Sequence, residues 1–162
     1  MVKFPITKKG YDKLEQEIKH LKYTERPAII EAIATARQFG DLSENAEYHA
    51  AREKQSFVEG RILDLESKFS RAEIIDTSKL SPESVKFGAT VKLIDDDTEE
   101  EFTYHILGEY EADMSKRRIS TQSPLAKALI GKVVGDVVEV LTPKGGKAYE
   151  VLAISFENLD LD

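Results

Sequence analysis

The residues from Tyr48 to Ala72 form a seam with helical spacing. Read backwards from Ala72, the series is Phe69, Leu65, Ile62, Val58, Gln55, Ala51 and Tyr48, with steps alternating between three and four. A repeat sustained over more than three heptads commits the segment to a helix with one narrow apolar stripe. Residues off the stripe, among them Arg52, Glu53, Lys54, Glu59, Arg61, Asp64, Glu66 and Lys68, are charged and belong to a solvated face. Gln55 is the polar seam position, a residue type that fixes register at some cost in stability. So narrow a stripe cannot enclose a globular core, and the helix needs a partner.

The partner lies upstream. Thr7, after Pro5 and Ile6, is a suitable N-cap, and Tyr11, Leu14, Ile18 and Leu21 follow at helical spacing. Pro27 removes one backbone hydrogen bond and predicts a kink. The stripe resumes, shifted, at Ile29, Ile30 and Ile33, and the spacing predicts helix to about Phe39, ended by Gly40. Two helices of about 30 residues, each roughly 45 Å long at 1.5 Å per residue, then pair antiparallel around a turn at 40–48. That turn, Gly40-Asp41-Leu42-Ser43-Glu44-Asn45-Ala46-Glu47-Tyr48, carries three carboxylates.

Beyond about residue 76 the pattern changes. Asp76 to Glu83 is polar with a proline and reads as a linker, assigned to 77–84. Strand signals follow at Val85–Ile94 and Glu101–Leu107, separated by Asp95-Asp96-Asp97-Thr98. Ser123-Pro124 ahead of Leu125, Ala128, Leu129 and Ile130 predicts a short helix, with Ser as N-cap, Pro in the first turn and Gly131 at its end. Val133–Leu141 and Ala148–Phe156 flank Pro143-Lys144-Gly145-Gly146-Lys147 and predict a hairpin. The expected fold class is α+β: an antiparallel helical hairpin over 1–76, then a small domain over 85–162 built as an antiparallel sheet with one short helix.

Composition limits the chemistry. Cysteine is absent, which excludes disulfides, thiolate metal sites and a cysteine nucleophile. No apolar run approaches ~18 residues, the N-terminal stretch has no apolar segment of the signal-peptide kind, and the expected location is cytoplasmic, with no membrane partner. Residues 1–75 hold 13 Lys or Arg and 13 Asp or Glu, so the whole net charge of −7 falls in the remainder. An acidic protein without a basic face is unsuited to general duplex-DNA binding.

Few residue groups offer chemistry. Asp95-Asp96-Asp97 lacks calcium-loop spacing and suits a solvated turn. Gly145-Gly146 lacks the strand–loop–helix setting of a phosphate loop and suits a hairpin turn. His20, His49 and His105 are scattered, without metal-ligand spacing. The acidic turn has two readings. Asp41 and Glu44 fit a capping box, with Asp41 as N-cap and Glu44 three residues on, and capping is favoured by spacing alone. Extending the seam back from Tyr48 instead reaches Glu44 and Asp41, which places both carboxylates at the end of a rod. Two carboxylates can hold Mg²⁺ only weakly unless phosphates or further carboxylates complete the site. Arg37, Arg52 and Lys54 lie near enough to face a nucleic-acid backbone, or are ordinary surface charge.

The stretch from Gly40 to Glu53, GDLSENAEYHAARE, resembles the tip signature of bacterial GreA-type transcript cleavage factors, in the GreA/GreB family. Phe57-Val58-Glu59-Gly60-Arg61-Ile62, Phe87-Gly88-Ala89-Thr90-Val91 and the segment from Ser123 to Lys132 extend the likeness over essentially the whole chain. The balanced charge of the helical half resembles the GreA branch more than GreB. The resemblance implies a coiled coil and a C-terminal domain similar to FKBP prolyl isomerases. It implies a monomeric accessory factor, not an enzyme by itself, that binds bacterial RNA polymerase, passes its coiled coil through the secondary channel and stimulates the polymerase's own cleavage of backtracked nascent RNA, releasing arrested complexes. On that likeness Asp41 and Glu44 hold a second Mg²⁺ shared with the polymerase, with no cofactor stably bound to the chain alone. Arg37 and Arg52 contact the RNA 3′ end, and Ser123, Pro124 and Leu125 lie where the C-terminal domain docks at the channel rim.

Two other readings compete. The compact domain could be a prolyl isomerase, with Phe87, Phe102, Tyr104, Tyr149 and Phe156 as candidate pocket residues, most of them expected in the core. The hairpin could also be an interaction or chaperone-like module whose tip acids serve only as caps.

Overall fold

In the computed structural model, residues 2–77 and 80–157 are described. Ser78 and Lys79 of the expected linker, and the last five residues of the expected C-terminal domain, lie outside them. The chain divides into two compact units, one spanning Asp12–Arg71 and the other joining residues up to Tyr11 with those from Ala72 onward. This differs from the 1–76 boundary expected from sequence. The reason is a pair of short strands, β1 (Phe4–Ile6) and β2 (Ala72–Ile74), which run parallel and pair Phe4 with Ala72 and Ile6 with Ile74. Phe4 and Ile6 are buried while Pro5 between them is not fully so.

The helical unit is a hairpin. Its first arm consists of α1 (Lys8–His20), a π-helical segment Leu21–Glu25 and α2 (Arg26–Arg37). The Thr7 hydroxyl accepts from the Gly10 amide at 3.0 Å, as an N-cap does. The Arg26 amide donates to the Leu21 carbonyl, five residues back. This wide turn comes just before Pro27, in the first turn of α2, so the missing proline amide falls where the hydrogen-bond pattern already changes. The extra residue explains the shifted stripe. Leu14 and Leu21 are seven apart, Leu21 and Ile29 eight, Ile29 and Ala36 seven, and none of the four is exposed.

The second arm is α3 (Ala46–Ser70), shorter than expected from the spacing. Tyr48, Ala51, Gln55, Val58, Ile62, Leu65 and Phe69 are all buried or half-buried, in agreement with the seam. Val58 and Ile62 pack with Ile29, flanked by Leu21 and Ile33.

The other unit is built on a five-stranded sheet in the order β5-β4-β3-β7-β6, from β3 (Thr90–Asp95), β4 (Glu101–Leu107), β5 (Arg118–Ser120), β6 (Val137–Thr142) and β7 (Gly145–Ser155). All neighbours are antiparallel except β4 and β5, a parallel pair that makes the sheet mixed rather than purely antiparallel. Val85–Ala89 is a turn and not the start of β3: the Ala89 amide bonds the Lys86 carbonyl at 3.0 Å, and Gly88 has a φ of +89°. A short helix α4 (Pro124–Leu129) closes the core, capped by the Ser123 hydroxyl, which accepts from the Ala126 amide at 3.2 Å. Val85, Val91, Leu93, Ile106, Ala126, Leu129 and Val151 are each fully buried there. The β6–β7 hairpin turns through Pro143-Lys144, closed by the Thr142–Gly145 pair.

Candidate functional site

The hairpin turn is held by short-range bonds. After α2 the Phe39 amide bonds the Ala36 carbonyl at 3.2 Å, and Gly40 takes the left-handed conformation at φ +98°. Leu42–Glu44 is a single 3-10 turn, and α3 starts only at Ala46. Asn45 is the N-cap of α3: its Oδ1 accepts from the Tyr48 amide at 3.0 Å, and its Nδ2 donates to the Ala36 carbonyl at 2.8 Å. One side chain thus starts the second helix and ties it to the end of the first.

This corrects two expectations. Asp41 and Glu44 do not form a capping box for α3, because Asn45 fills that place. They are also not carried on the helical seam, because the helix stops short of them; both are exposed on the turn. Asp41 caps the 3-10 turn instead. Its Oδ1 accepts from the Ser43 amide at 3.0 Å and from the Ser43 hydroxyl at 2.8 Å. These bonds, the hydroxyl first, hold its carboxyl below the usual carboxylate range. His49 places Nε2 3.1 Å from the Ser43 carbonyl and closes the far side of the turn.

Arg37, Arg52 and Tyr48 come together. The Arg37 guanidinium lies 5.9 Å from the centre of the Tyr48 ring. The Arg52 Nη1 lies 3.4 Å from the Tyr48 hydroxyl, which accepts from it. The two guanidiniums, Arg37 first and Arg52 after it, lower the Tyr48 phenol below its ordinary value. Lys54 pairs with Glu25 at 3.7 Å and is part of the hairpin flank, not of this cluster.

As a test for magnesium, the turn offers oxygen donors of the right kind but few of them. Asp41 Oδ1 is engaged by Ser43, and no group of three or more His, Asp or Glu able to hold a metal ion occurs among the described residues. Asp41 and Glu44 by themselves supply too few oxygen donors to hold the ion firmly.

In the sheet unit each sequence candidate has a defined place in the fold. Ser123 caps α4, Pro124 stands in its first turn and Leu125 packs on the core. Asp95 is buried, not solvated as expected: its Oδ1 accepts from the amides of Asp97 at 2.8 Å and Thr98 at 3.2 Å, and Lys147 stands 3.4 Å away. Those bonds, led by the Asp97 amide, lower its pKa. Phe102 stacks on Tyr104 and meets Tyr149 edge-on, with the Arg117 guanidinium 5.1 Å from the Phe102 ring centre. Phe87 and Phe156 are half-buried. His20 is 3.2 Å from Glu25, and His105 Nδ1 is 2.9 Å from the Thr90 hydroxyl.

Asn45 and Tyr48 were missed as site residues. Asn45 had a signal, a good capping residue three before Tyr48, but the carboxylates on either side drew the N-cap to Asp41. Tyr48 counted only as a seam residue, and nothing in the spacing shows that its ring meets Arg37 and its hydroxyl Arg52.

A helical hairpin with an exposed carboxylate-bearing turn, joined to a mixed sheet with one short helix, defines the class of protein. The family model described as "Transcription elongation factor, N-terminal" matches residues 4–74, and that described as "Transcription elongation factor, GreA/GreB, C-term" matches residues 80–156. Transcription elongation factor GreA of Rickettsia typhi is 67% identical over 98% of this chain and 98% of its own. The factor of the same name from Methylobacterium nodulans is 65% identical over 96% of this chain and 99% of its own. GreA factor homolog 1 of Thermus thermophilus, a solved structure, is 29% identical over 95% of this chain and 99% of its own, with a TM-score of 0.45. The chain belongs to the GreA/GreB family of transcription elongation factors.

Proposed function

We propose that this chain is a cytoplasmic, monomeric accessory factor of bacterial RNA polymerase. Its helical hairpin enters the secondary channel, and its turn stimulates the polymerase's own cleavage of backtracked RNA, releasing arrested complexes. The observation that carries this reading is the turn itself. Asp41 and Glu44 are exposed, and hydrogen bonds from Ser43 hold the Asp41 carboxyl below the usual carboxylate range. An incomplete set of hard oxygen donors on an exposed turn suits an ion completed by a partner. Asp41 and Glu44 would hold it, and the ion supplies charge stabilisation for phosphodiester hydrolysis when bound. Arg37 and Arg52 face the anionic end of the RNA, and the α4 region with Ser123, Pro124 and Leu125 meets the channel rim. No helix of the described residues is long and apolar enough to cross a membrane.

The test is a transcript-cleavage assay on backtracked polymerase. Asp41→Asn and Glu44→Gln should each lower the cleavage rate by a factor of ~100 or more, the scale of losing a charge-stabilising group, while polymerase binding stays within a factor of about two. Full cleavage by the double variant sinks the reading. The prolyl-isomerase alternative has little in its favour: Phe102, Tyr104 and Tyr149 pack on one another, with Arg117 over two of the rings.

A further inference from the structure

We infer that Tyr48 is a positioning residue: its ring face holds Arg37 from α2 and its hydroxyl holds Arg52 from α3, making one preorganised pair that receives a phosphate of the RNA. The inference rests on the function proposed above and deepens it. Without Tyr48, two long cationic side chains on different helices would repel one another. Each would also lose rotamer freedom on being fixed.

The ring offers both guanidiniums something. Arg37 lies against its face at 5.9 Å, and Arg52 donates to the hydroxyl at 3.4 Å. The backbone beneath is tied as well. The Tyr48 amide bonds Asn45 Oδ1, and Asn45 Nδ2 bonds the carbonyl of Ala36, the residue before Arg37. Both arginines are exposed. Neither makes an ion pair among the described residues, although Asp41, Glu44 and Glu47 stand within the same turn. A neutral phenol leaves the pair's positive charge uncompensated. Two guanidiniums with free N–H groups are well matched to phosphate oxygens.

The experiment compares wild type, Tyr48→Phe, Arg37→Ala/Arg52→Ala, the triple variant and Asp41→Asn in the same cleavage assay. Phenylalanine keeps the ring in the seam and removes only the oxygen. Tyr48→Phe should lower the cleavage rate roughly tenfold, the value of one charged hydrogen bond, with an unchanged magnesium requirement. Adding Tyr48→Phe to the double arginine variant should cost nothing further, which a merely structural role would not produce.

In a second measurement, absorbance titration of the tyrosines in the whole protein should show one phenol titrating higher in Arg37→Ala/Arg52→Ala than in wild type. A wild-type rate for Tyr48→Phe, an equal loss in the arginine-free background, or no change in the titration overturns the inference. Asp41→Asn separates the levels. Full cleavage by that variant overturns the proposed function and this inference with it. If it is inactive while Tyr48→Phe cleaves normally, only the role of Tyr48 falls.

Discussion

The helical unit and the sheet unit solve opposite problems. The hairpin is held by a one-residue-wide seam, with Ile29, Val58 and Ile62 as its closely packed centre. The sheet unit encloses a core from strands far apart in sequence, with Leu93, Ile106 and Val151 fully buried. The hairpin makes up for its thin seam with charge. Glu59 and Glu66, one heptad apart, meet Arg26 at 2.8 Å and Lys22 at 3.7 Å. On the other flank Lys54 and Arg61, also a heptad apart, meet Glu25 at 3.7 Å and Glu17 at 2.9 Å. The sign is reversed between the flanks, so a parallel pairing would bring like charges together. Exposed ion pairs add little stability, but they can set orientation. Where the seam ends, charges that are not spent on orientation appear, and those are the candidates for function. The lesson is that in a repetitive element the informative place is where the repeat stops.

The largest expected effect breaks the sheet unit. Leu93→Ala deletes a fully buried side chain and should cost about 3–5 kcal/mol, as core truncations do where neighbours cannot collapse. Ile62→Ala in the hairpin should cost nearer 2 kcal/mol, the low end of that range, because a two-helix seam can close over the gap. Urea unfolding, followed by residue-resolved amide exchange so that each unit is read separately, measures both. Equal losses would mean that the seam is as tightly packed as the sheet core and would break the comparison.

Legibility follows the same division. The a/d spacing gave the hairpin nearly residue by residue, because a helix contacts its partner at fixed intervals. It did not give the π-helical segment, although the eight-residue step from Leu21 to Ile29 was its trace. It also failed at Asp41 and Glu44, where a helical period was extended past the end of the helix. In the sheet unit β3, β4, α4 and the last hairpin were readable from alternation and capping residues. The pairs β1–β2 and β4–β5 were not. Strands of three residues carry almost no period, and their partners are set by contacts across the fold. The buried carboxylate of Glu111 was invisible for the same reason. It accepts from the Thr7 amide at 3.2 Å and from the Thr7 hydroxyl, and it lies so close that a side chain at Gly10 would strike it.

Asn45 offers a medium-sized test within the hairpin. Asn45→Ala removes the α3 cap and the bond to the Ala36 carbonyl, and should cost about 1–2 kcal/mol, the upper part of the range for cap removal. Asn45→Ser keeps a capping oxygen and loses the donor to Ala36, so its melting temperature should fall between those of wild type and the alanine variant. If the two variants melt alike, the bond across the turn contributes nothing and the cap alone holds the tip.

The smallest effect sharpens the contrast through pH. In the hairpin the carboxyls of Asp41 and Glu59 are lowered, by Ser43 and by Arg26 respectively. Their contribution is present above their ordinary values of 3.8 and 4.5 and is lost as pH falls through the lower folded values. Glu111 in the sheet unit is the reverse. Burial raises it, against the opposing hydrogen bonds from Thr7 and Gly108. Its protonated form therefore fits the fold better than the charged one. Its contribution is complete below 4.5 and declines as pH rises through the raised folded value. Glu111→Gln keeps the shape without the titration. The melting temperature of wild type relative to this variant should then be highest near pH 4 and decline steadily toward neutrality. The same comparison for Glu59→Gln should rise with pH over its own lower range. A gap at position 111 that widens toward neutral pH would show that the bonds from Thr7 and Gly108 outweigh burial, and that a charged carboxylate is what the root of α1 requires.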